Sequence, residues 1–338
     1  MSRHLHIHQA GPGLTVQDLG RPGYLAYGLS RGGAADRLAI YEGAALLGQA
    51  PDMAALEMAG MGGTFEASED IRIALTGAPM KARIDGEAVA WTASHPLPKG
   101  ARLEIGPASA GVYGYLHVGG GIATQEILGA RSAHLAAGIG SPLAAGDSLP
   151  IGPDRGHETG LALDPEDRFA GGEVRVVTGY QTAMFPDDEV ARFEDTEFTR
   201  DARGNRMGVR LKPEGAGFAS RAGLTVLSEA IVPGDIQITG DGAPFVLMAE
   251  CQTTGGYPRI GAVLPCDLPR VAQAAPGAHL RLRFVPAEEA LATERRAAEA
   301  RAALRRRLRP LTRDPHDIRD LLSYQLISGA IAGTPEEE

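Results

Sequence analysis

Short apolar runs, broken by turns that carry glycine or proline, recur along most of the chain. Ile71-Arg72-Ile73-Ala74-Leu75, Arg102-Leu103-Glu104-Ile105, Tyr113-Gly114-Tyr115-Leu116-His117-Val118 and Val174-Arg175-Val176-Val177 have the length and composition of strands. Helical spacing is rarer. Ala35 to Leu47 sets Leu38, Ala39, Tyr41, Ala45 and Leu46 on one stripe before an end-marking Gly48, and a second pattern runs from Pro186 to about Phe193. The longest, rich in Ala, Glu and Arg, spans Pro286 to Arg309 and resumes at Asp317 to Leu326 after Pro310 and Pro315. This pattern predicts a mainly β body with a helical C-terminal extension.

The segments "KGARLEI" (Lys99 to Ile105), "AGDSLPI" (Ala145 to Ile151) and "PGAHLRL" (Pro276 to Leu282) share a glycine, a leucine three residues later, and Ile or Leu two residues after that. Each reads as a turn entering a strand, and the repetition suggests two related β-barrels. A length of 338 residues exceeds what one core usually serves. The expected division is a β domain over 1–152, an acidic, proline-bearing linker over 153–172, a second β domain over 173–285 and a helical tail over 286–338.

Composition narrows the partners. With 33 basic against 42 acidic side chains the formal charge is -9, which argues against nucleic acid or an anionic membrane surface. No run of eighteen apolar residues and no basic-then-apolar leader is found, so a cytoplasmic protein is expected. The two cysteines, Cys251 and Cys266, form no disulfide framework or zinc pattern and are expected as reduced thiols. No Walker loop, His-Glu-x-x-His, Gly-x-Ser-x-Gly or dinucleotide fingerprint occurs, so any catalysis here works by positioning and polarising.

Several motifs carry candidate chemistry. "HLHIH" puts His4, His6 and His8 on one strand face, a spacing open to a metal, although Leu5 and Ile7 on the other face explain it as a half-buried first strand, and no metal is expected. In "GLTVQDLGRPGY", Asp18 and Arg21 either brace a turn or, in Arg21, anchor a substrate carboxylate. "RGGAAD" brings Asp36 to the start of the first helix, and "GNRMGVRL" offers Arg206 as the preferred pocket cation. In "SEAIVPGDIQITGDG", Gln237 points away from the face of Ile236 and Ile238.

The stretch "CQTTGGYPRIG", Cys251 to Gly261, lies between two strand-like runs and holds more than a hairpin needs. Gly255 and Gly256 suit either a plain turn with positive φ or a nest of backbone N–H groups that receives an anion or polarised carbonyl. Gln252, Thr253, Thr254 and Tyr257 would surround that ligand.

Taken in order, "TVQDLGRPGY", "GGAAD", "ALEM" with Glu57, "LTGAP", "GGGIATQEILGARS", "NRMGVRL", "SEAIVPGDIQI" and "CQTTGGYPRIGAVLPCDL" resemble the biotin-dependent carboxyltransferase family. That family includes the C subunit of bacterial 5-oxoprolinase, also known as allophanate hydrolase subunit 2 or as the antagonist of a sporulation-kinase inhibitor. The resemblance covers about residues 5 to 285 and the terminal "YQLISGAI" (Tyr324 to Ile331). It implies tandem cyclophilin-like β-barrels and a hydrolase role as the C subunit of an ATP-dependent 5-oxoprolinase, converting 5-oxoproline to glutamate. It also implies two partners, a B-type companion and a lactam-utilisation-type A subunit, with ATP bound largely by them. Alternatives within the resemblance are biotin-dependent carboxyl transfer to urea or a related amide, and a non-catalytic regulatory role. By family position, Asp18, Arg21 and Arg206 are expected as catalytic residues, and Asp36, Glu57 and Gln252 to Tyr257 as substrate-binding ones. The sequence departs from the family pattern at Glu250-Cys251, where an Asp-Arg pair is usual, and at Gly32-Gly33-Ala34-Ala35-Asp36, where Ser-Gly-Ala-Met-Asp is usual. It also lacks the usual serine before Arg206.

Overall fold

The structure, a computed structural model, describes residues 3–312 except 222, 224 and 225. Its mainly β architecture matches the expectation. The first unit faces a six-stranded sheet, in the order Ser148–Pro150, His4–Ala10, Gly63–Ala67, Arg102–Ala108, Met80–Ile84, Glu87–Val89, against a seven-stranded one. The latter runs Thr15–Gln17, Ala55–Ala59, Tyr113–Val118, Ile71–Gly77, Ala93–Leu97, Leu161–Ala162, Arg309–Pro310. Leu5, Ile7 and Phe65 of one sheet meet Leu56, Ile73 and Leu116 of the other in a shared core.

The second unit is a closed barrel ordered Gly171–Val177, Arg259–Val263, Asp235–Ile238, Pro244–Leu247, Gly208–Pro213, Glu197–Gly204, His279–Phe284. Its closing pair, Gly171–Val177 with His279–Phe284, is parallel, and closure leaves the ring without an unpaired edge. Phe193, Phe198 and Phe218 fill one part of the interior with ring centroids 5.1 to 5.9 Å apart. The three repeated segments each do enter a strand. Gly100, Gly146 and Gly277 take φ of 74°, 95° and 87°, and Leu103, Leu149 and Leu280 that follow are buried.

Among the described residues, four α-helices cover these strands: α1 (Arg37–Leu47), α2 (Asp187–Asp195), α3 (Leu268–Gln273) and α4 (Ala287–Ala302). The first starts two residues later than its pattern, because Asp36 is its N-cap and accepts from the Ala39 N–H; Gly48 at φ 63° closes it. The expected single helix to Arg309 is corrected: α4 ends at Ala302, a 3-10 turn takes Leu304–Arg307, and Arg309–Pro310 pairs with Leu161–Ala162. The reversal buries Leu304 with Leu46, Leu47 and Leu163, which a straight helix would not reach. Asp317 to Leu326 and "YQLISGAI" lie outside the described residues.

Of the stretch 153–172, Leu161–Ala162 is a strand of the first unit, while Gly171 and Gly172 already open the barrel's closing strand. Asp154 takes a two-pronged bond from Arg72 at 2.9 and 2.6 Å, and Leu163 is buried. Leu5 and Ile7 of the first strand are buried while His8 Nε2 lies 2.8 Å from Glu66. Among the described residues no helix is long and apolar enough to cross a membrane.

Candidate functional site at the junction of the two β units

A hairpin tip of the barrel carries Arg206 into the first unit. Asn205 fixes the turn by accepting from the Met207 N–H at 2.8 Å, and Gly208 is required beyond it because a Cβ there would lie 2.1 Å from the Phe245 ring. The Arg206 guanidinium donates to Glu57, to Glu250 and to the Gly33 carbonyl. Burial alone would lower its pKa, but Glu57 and Glu250 raise it well above the usual arginine value. Glu57, on the Ala55–Ala59 strand, also accepts from the Tyr115 hydroxyl at 2.6 Å and the Ala35 N–H at 2.8 Å. Gly33, at φ 83°, lets its segment approach residue 20 so closely that a Cβ would fall 2.5 Å from the Gly20 nitrogen.

A second clamp lies beside the first. Asp36 accepts from Arg168 Nε at 2.7 Å and from Gln273 Nε2 at 2.8 Å, while Arg168 forks onto Glu42 at 2.9 and 2.7 Å. Burial raises the Glu42 pKa against the opposing pull of Arg168. Gln273, from α3, accepts from the Val112 and Tyr113 N–H groups and donates to the Tyr113 carbonyl, continuing the first unit's hydrogen bonding with a side chain of the second.

Asp18 and Arg21 sit in a buried loop cluster next to these clamps. Asp18 accepts from the Gly20 and Arg131 N–H groups; Arg21 donates to the Ile127 and Ser132 carbonyls, leaving Nη1 buried without an acceptor. His134 Nδ1 accepts from the Ala137 N–H, so its proton sits on Nε2 and is donated to Ser30 Oγ at 2.9 Å. Burial lowers its pKa more than Glu250, 4.0 Å away, raises it. Asp18, Arg21, Arg206, Asp36 and Glu57 thus converge, but each is enclosed and visibly braces backbone or a charged partner.

The loop from Gln252 to Tyr257 leaves this cluster directly after Glu250. Thr254–Gly255 pairs with Glu229–Ala230 as a two-stranded ribbon. Neither Gly255 nor Gly256 takes a positive φ, which corrects the expectation of a left-handed turn or nest built on them. Space explains them instead: a Cβ on Gly255 would lie 2.4 Å from Gln237 Nε2, and one on Gly256 would lie 3.2 Å from Ser228 Oγ. Gln237 does face away from the barrel core, and the ribbon covers it. Gln252, Thr254 and Tyr257 are exposed.

Beyond the clamps, α1, α4 and the barrel enclose a cavity of about 200 Å³, floored by Gly32, Ala34 and Ala35. The "RGGAAD" motif supplies its floor, but nothing in the sequence marks the cavity as a whole, since its lining comes from six separate stretches. Tyr115, Arg168, Gln273, His134 and Ser30 likewise carry no sequence signal. Glu250 left a trace as a departure from the family pattern.

Comparison with known proteins decides the family. The model of the carboxyltransferase domain, subdomain A and B, matches residues 27–285. The chain belongs to this carboxyltransferase family. Within it, the chain is 35% identical over 292 residues to the C subunit of 5-oxoprolinase from Escherichia coli, covering 85% of this chain and 93% of that protein. It is 33% identical to the C subunit of 5-oxoprolinase from Haemophilus influenzae, covering 83% and 91%. The crystal structure of Kluyveromyces lactis urea carboxylase superposes with a TM-score of 0.78 at 20% identity over 92% of this chain and 31% of that one, a likeness of fold. Against the carboxyltransferase pattern, Glu250 keeps a carboxylate where Asp is usual and spends it on Arg206. Cys251 stands in a small apolar cluster with Ile231 and Leu247, and burial, with Asp235 nearby, pushes its thiol up to about 12.

Proposed function

We propose that this chain is the C subunit of an ATP-dependent 5-oxoprolinase that opens the lactam of 5-oxoproline to glutamate. The observation that carries this reading is the 35% identity to the E. coli 5-oxoprolinase C subunit across nearly the whole of both chains. The partners are a B-type companion and a lactam-utilisation-type A subunit, and ATP binds largely on them, in line with the lack of any phosphate loop in this sequence.

In this reading, Arg206, Asp18 and Arg21 are positioning residues. Their hydrogen bonds hold residues 20, 33, 57, 127, 131, 132 and 250 in place, so they act on the reaction through the geometry of the junction. Asp36 and Glu57 do the same for the start of α1. The Gln252 to Tyr257 ribbon, whose exposed amide and hydroxyls follow Glu250 in the chain, contacts the substrate. Attack on a lactam carbonyl places negative charge on its oxygen, and fixed N–H or O–H donors aimed there are typically worth about 3 kcal/mol each.

The test is ADP release by the three combined subunits with and without 5-oxoproline. Turnover that depends on the lactam and vanishes when this chain is omitted supports the reading. A second reading, biotin-dependent carboxyl transfer to urea or a related amide, is favoured by the carboxyltransferase model that spans residues 27–285. It gains if a verified complex shows no lactam-stimulated ADP release but carboxylates urea from carboxybiotin. A purely regulatory role gains if both assays are silent while the companion's own activity changes on binding this chain.

A further inference from the structure

The cavity beside α1 holds a charge arrangement that the junction clamps leave unused. Arg31, Arg37 and Arg301 all line it. Arg31 Nε is given to the Leu19 carbonyl at 2.9 Å, and the Arg301 guanidinium lies 5.7 Å from the Tyr41 ring centroid. Arg37 Nε is buried with no acceptor at all. Burial and the two neighbouring guanidiniums lower the Arg37 pKa, against the opposing pull of Tyr41. The two glutamates in the wall are engaged elsewhere: Glu166 faces Arg307 at 3.3 Å, and Glu294 accepts from the Cys266 N–H at 2.7 Å. Like charges gathered in a partly dry wall cost free energy unless an anion joins them.

Size and lining narrow that anion. A cavity of about 150 Å³ accommodates benzene, so this one, at about 200 Å³, takes a single small ring with one substituent. Its remaining wall is largely apolar, with Leu38, Met248, Leu268 and Ala297. We propose that this cavity binds a compact, ring-sized carboxylate, with the carboxylate among Arg31, Arg37 and Arg301 and the ring against the apolar wall. The floor, Gly32 to Ala35, is the segment that Arg206 and Glu57 hold from its other side. The site stands on the cavity itself, which no residue of the Gln252 to Tyr257 ribbon lines, so it is a second place for the lactam, apart from the ribbon that contacts it in turnover; the choice of 5-oxoproline as occupant rests on the oxoprolinase reading.

The experiment is calorimetric titration of the full chain with 5-oxoproline, with 2-pyrrolidinone, which is the same lactam lacking the carboxylate, and with inorganic phosphate. Saturable one-to-one binding of 5-oxoproline is expected, with the neutral lactam at least about tenfold weaker. Loss of one charge-assisted contact in Arg37→Gln or Arg301→Gln should weaken binding roughly 10- to 100-fold. Ala297→Phe, which fills the cavity from a half-buried helix position, should abolish it while circular dichroism and Tm stay those of the parent. Equal binding of 2-pyrrolidinone, binding of phosphate without the carboxylate, no binding, or binding indifferent to all three variants overturns the proposal. Variant-sensitive binding without lactam-dependent ADP release would sink the oxoprolinase reading and leave the site. ADP release that persists unchanged in the filled-cavity variant, with no binding to the full chain, would do the reverse.

Discussion

Removing one member of a buried ion pair strands the others, and Arg206 has two such partners. Glu57 and Glu250 are almost fully enclosed, so Arg206→Met leaves two carboxylates without their cation. Breaking a buried pair this way usually costs about 3–5 kcal/mol. The expected result is a loss of about 3 kcal/mol in urea unfolding with the slope unchanged, and only partial recovery in Arg206→Lys, whose ammonium cannot fork onto both acids. A loss under about 1 kcal/mol would remove Arg206 from the centre of the junction. His117 supplies a pH signature at the same scale. Thr76 Oγ1 donates to the Ala39 carbonyl and therefore accepts from His117 Nε2, 2.8 Å away. Burial depresses the His117 pKa to about 3. The unfolded chain, with a histidine near 6.5, binds more protons between these values, so stability is complete above about pH 6.5 and declines as pH falls toward 3. Replacing His117 with Gln should flatten that slope in unfolding curves measured at pH 7, 6 and 5. An unchanged slope would mean that other groups dominate.

Helix α1 is the element that ties residue chemistry to the fold, and it tests how far local pattern reaches. Its apolar stripe and its Gly48 stop are readable from adjacent residues, because a 3.6-residue period needs no distant partner, whereas the sequence places Asp36 near the helix start and not as its cap. What the pattern hides is why Gly43 sits mid-helix. A Cβ there would lie 2.3 Å from the His117 ring, so the helix packs at a distance that only glycine permits. In an exposed helix Gly→Ala gains about 1 kcal/mol. Here Gly43→Ala should instead destabilise by about 1–3 kcal/mol, the usual cost of overpacking. A gain in Tm would show that α1 can shift away from the Tyr113–Val118 strand at little cost. The ribbon at Thr254–Gly255 is limited in the same way. Two glycines in sequence suggest turn geometry, yet neither takes a positive φ, and the Gln237 and Ser228 side chains that crowd them come from distant stretches of the chain.

At the scale of the whole molecule, strand composition revealed a β protein and its duplicated turn-to-strand segments, whereas strand order, the return of Arg309–Pro310 to the first unit and the interlock between units depend on contacts far apart in sequence. Arg206 was legible because it stands at a glycine-flanked turn between two strand patterns. Arg168 and Gln273 were not, since an isolated Arg or Gln carries no local mark of the carboxylate or backbone it will meet. Gln273 offers the cleanest test of that interlock. It lies 161 residues from Val112 and 160 from Tyr113, accepts from both N–H groups and donates to the Tyr113 carbonyl. Gln273→Leu keeps the volume but leaves these buried groups unpaired, at about 1–3 kcal/mol for each unsatisfied group. Asp36 retains Arg168, so the neighbouring clamp survives. The loss falls on the contact between the units, and coupling between them should weaken more than the stability of either core. Calorimetry should then show the parent's unfolding broaden or split into two transitions, one for the two-sheet unit and one for the barrel. A single sharp transition moved by less than about 1 °C would mean that the units are held together elsewhere, with the Arg206 and Arg168 ion pairs as the next positions to separate by a double-mutant cycle.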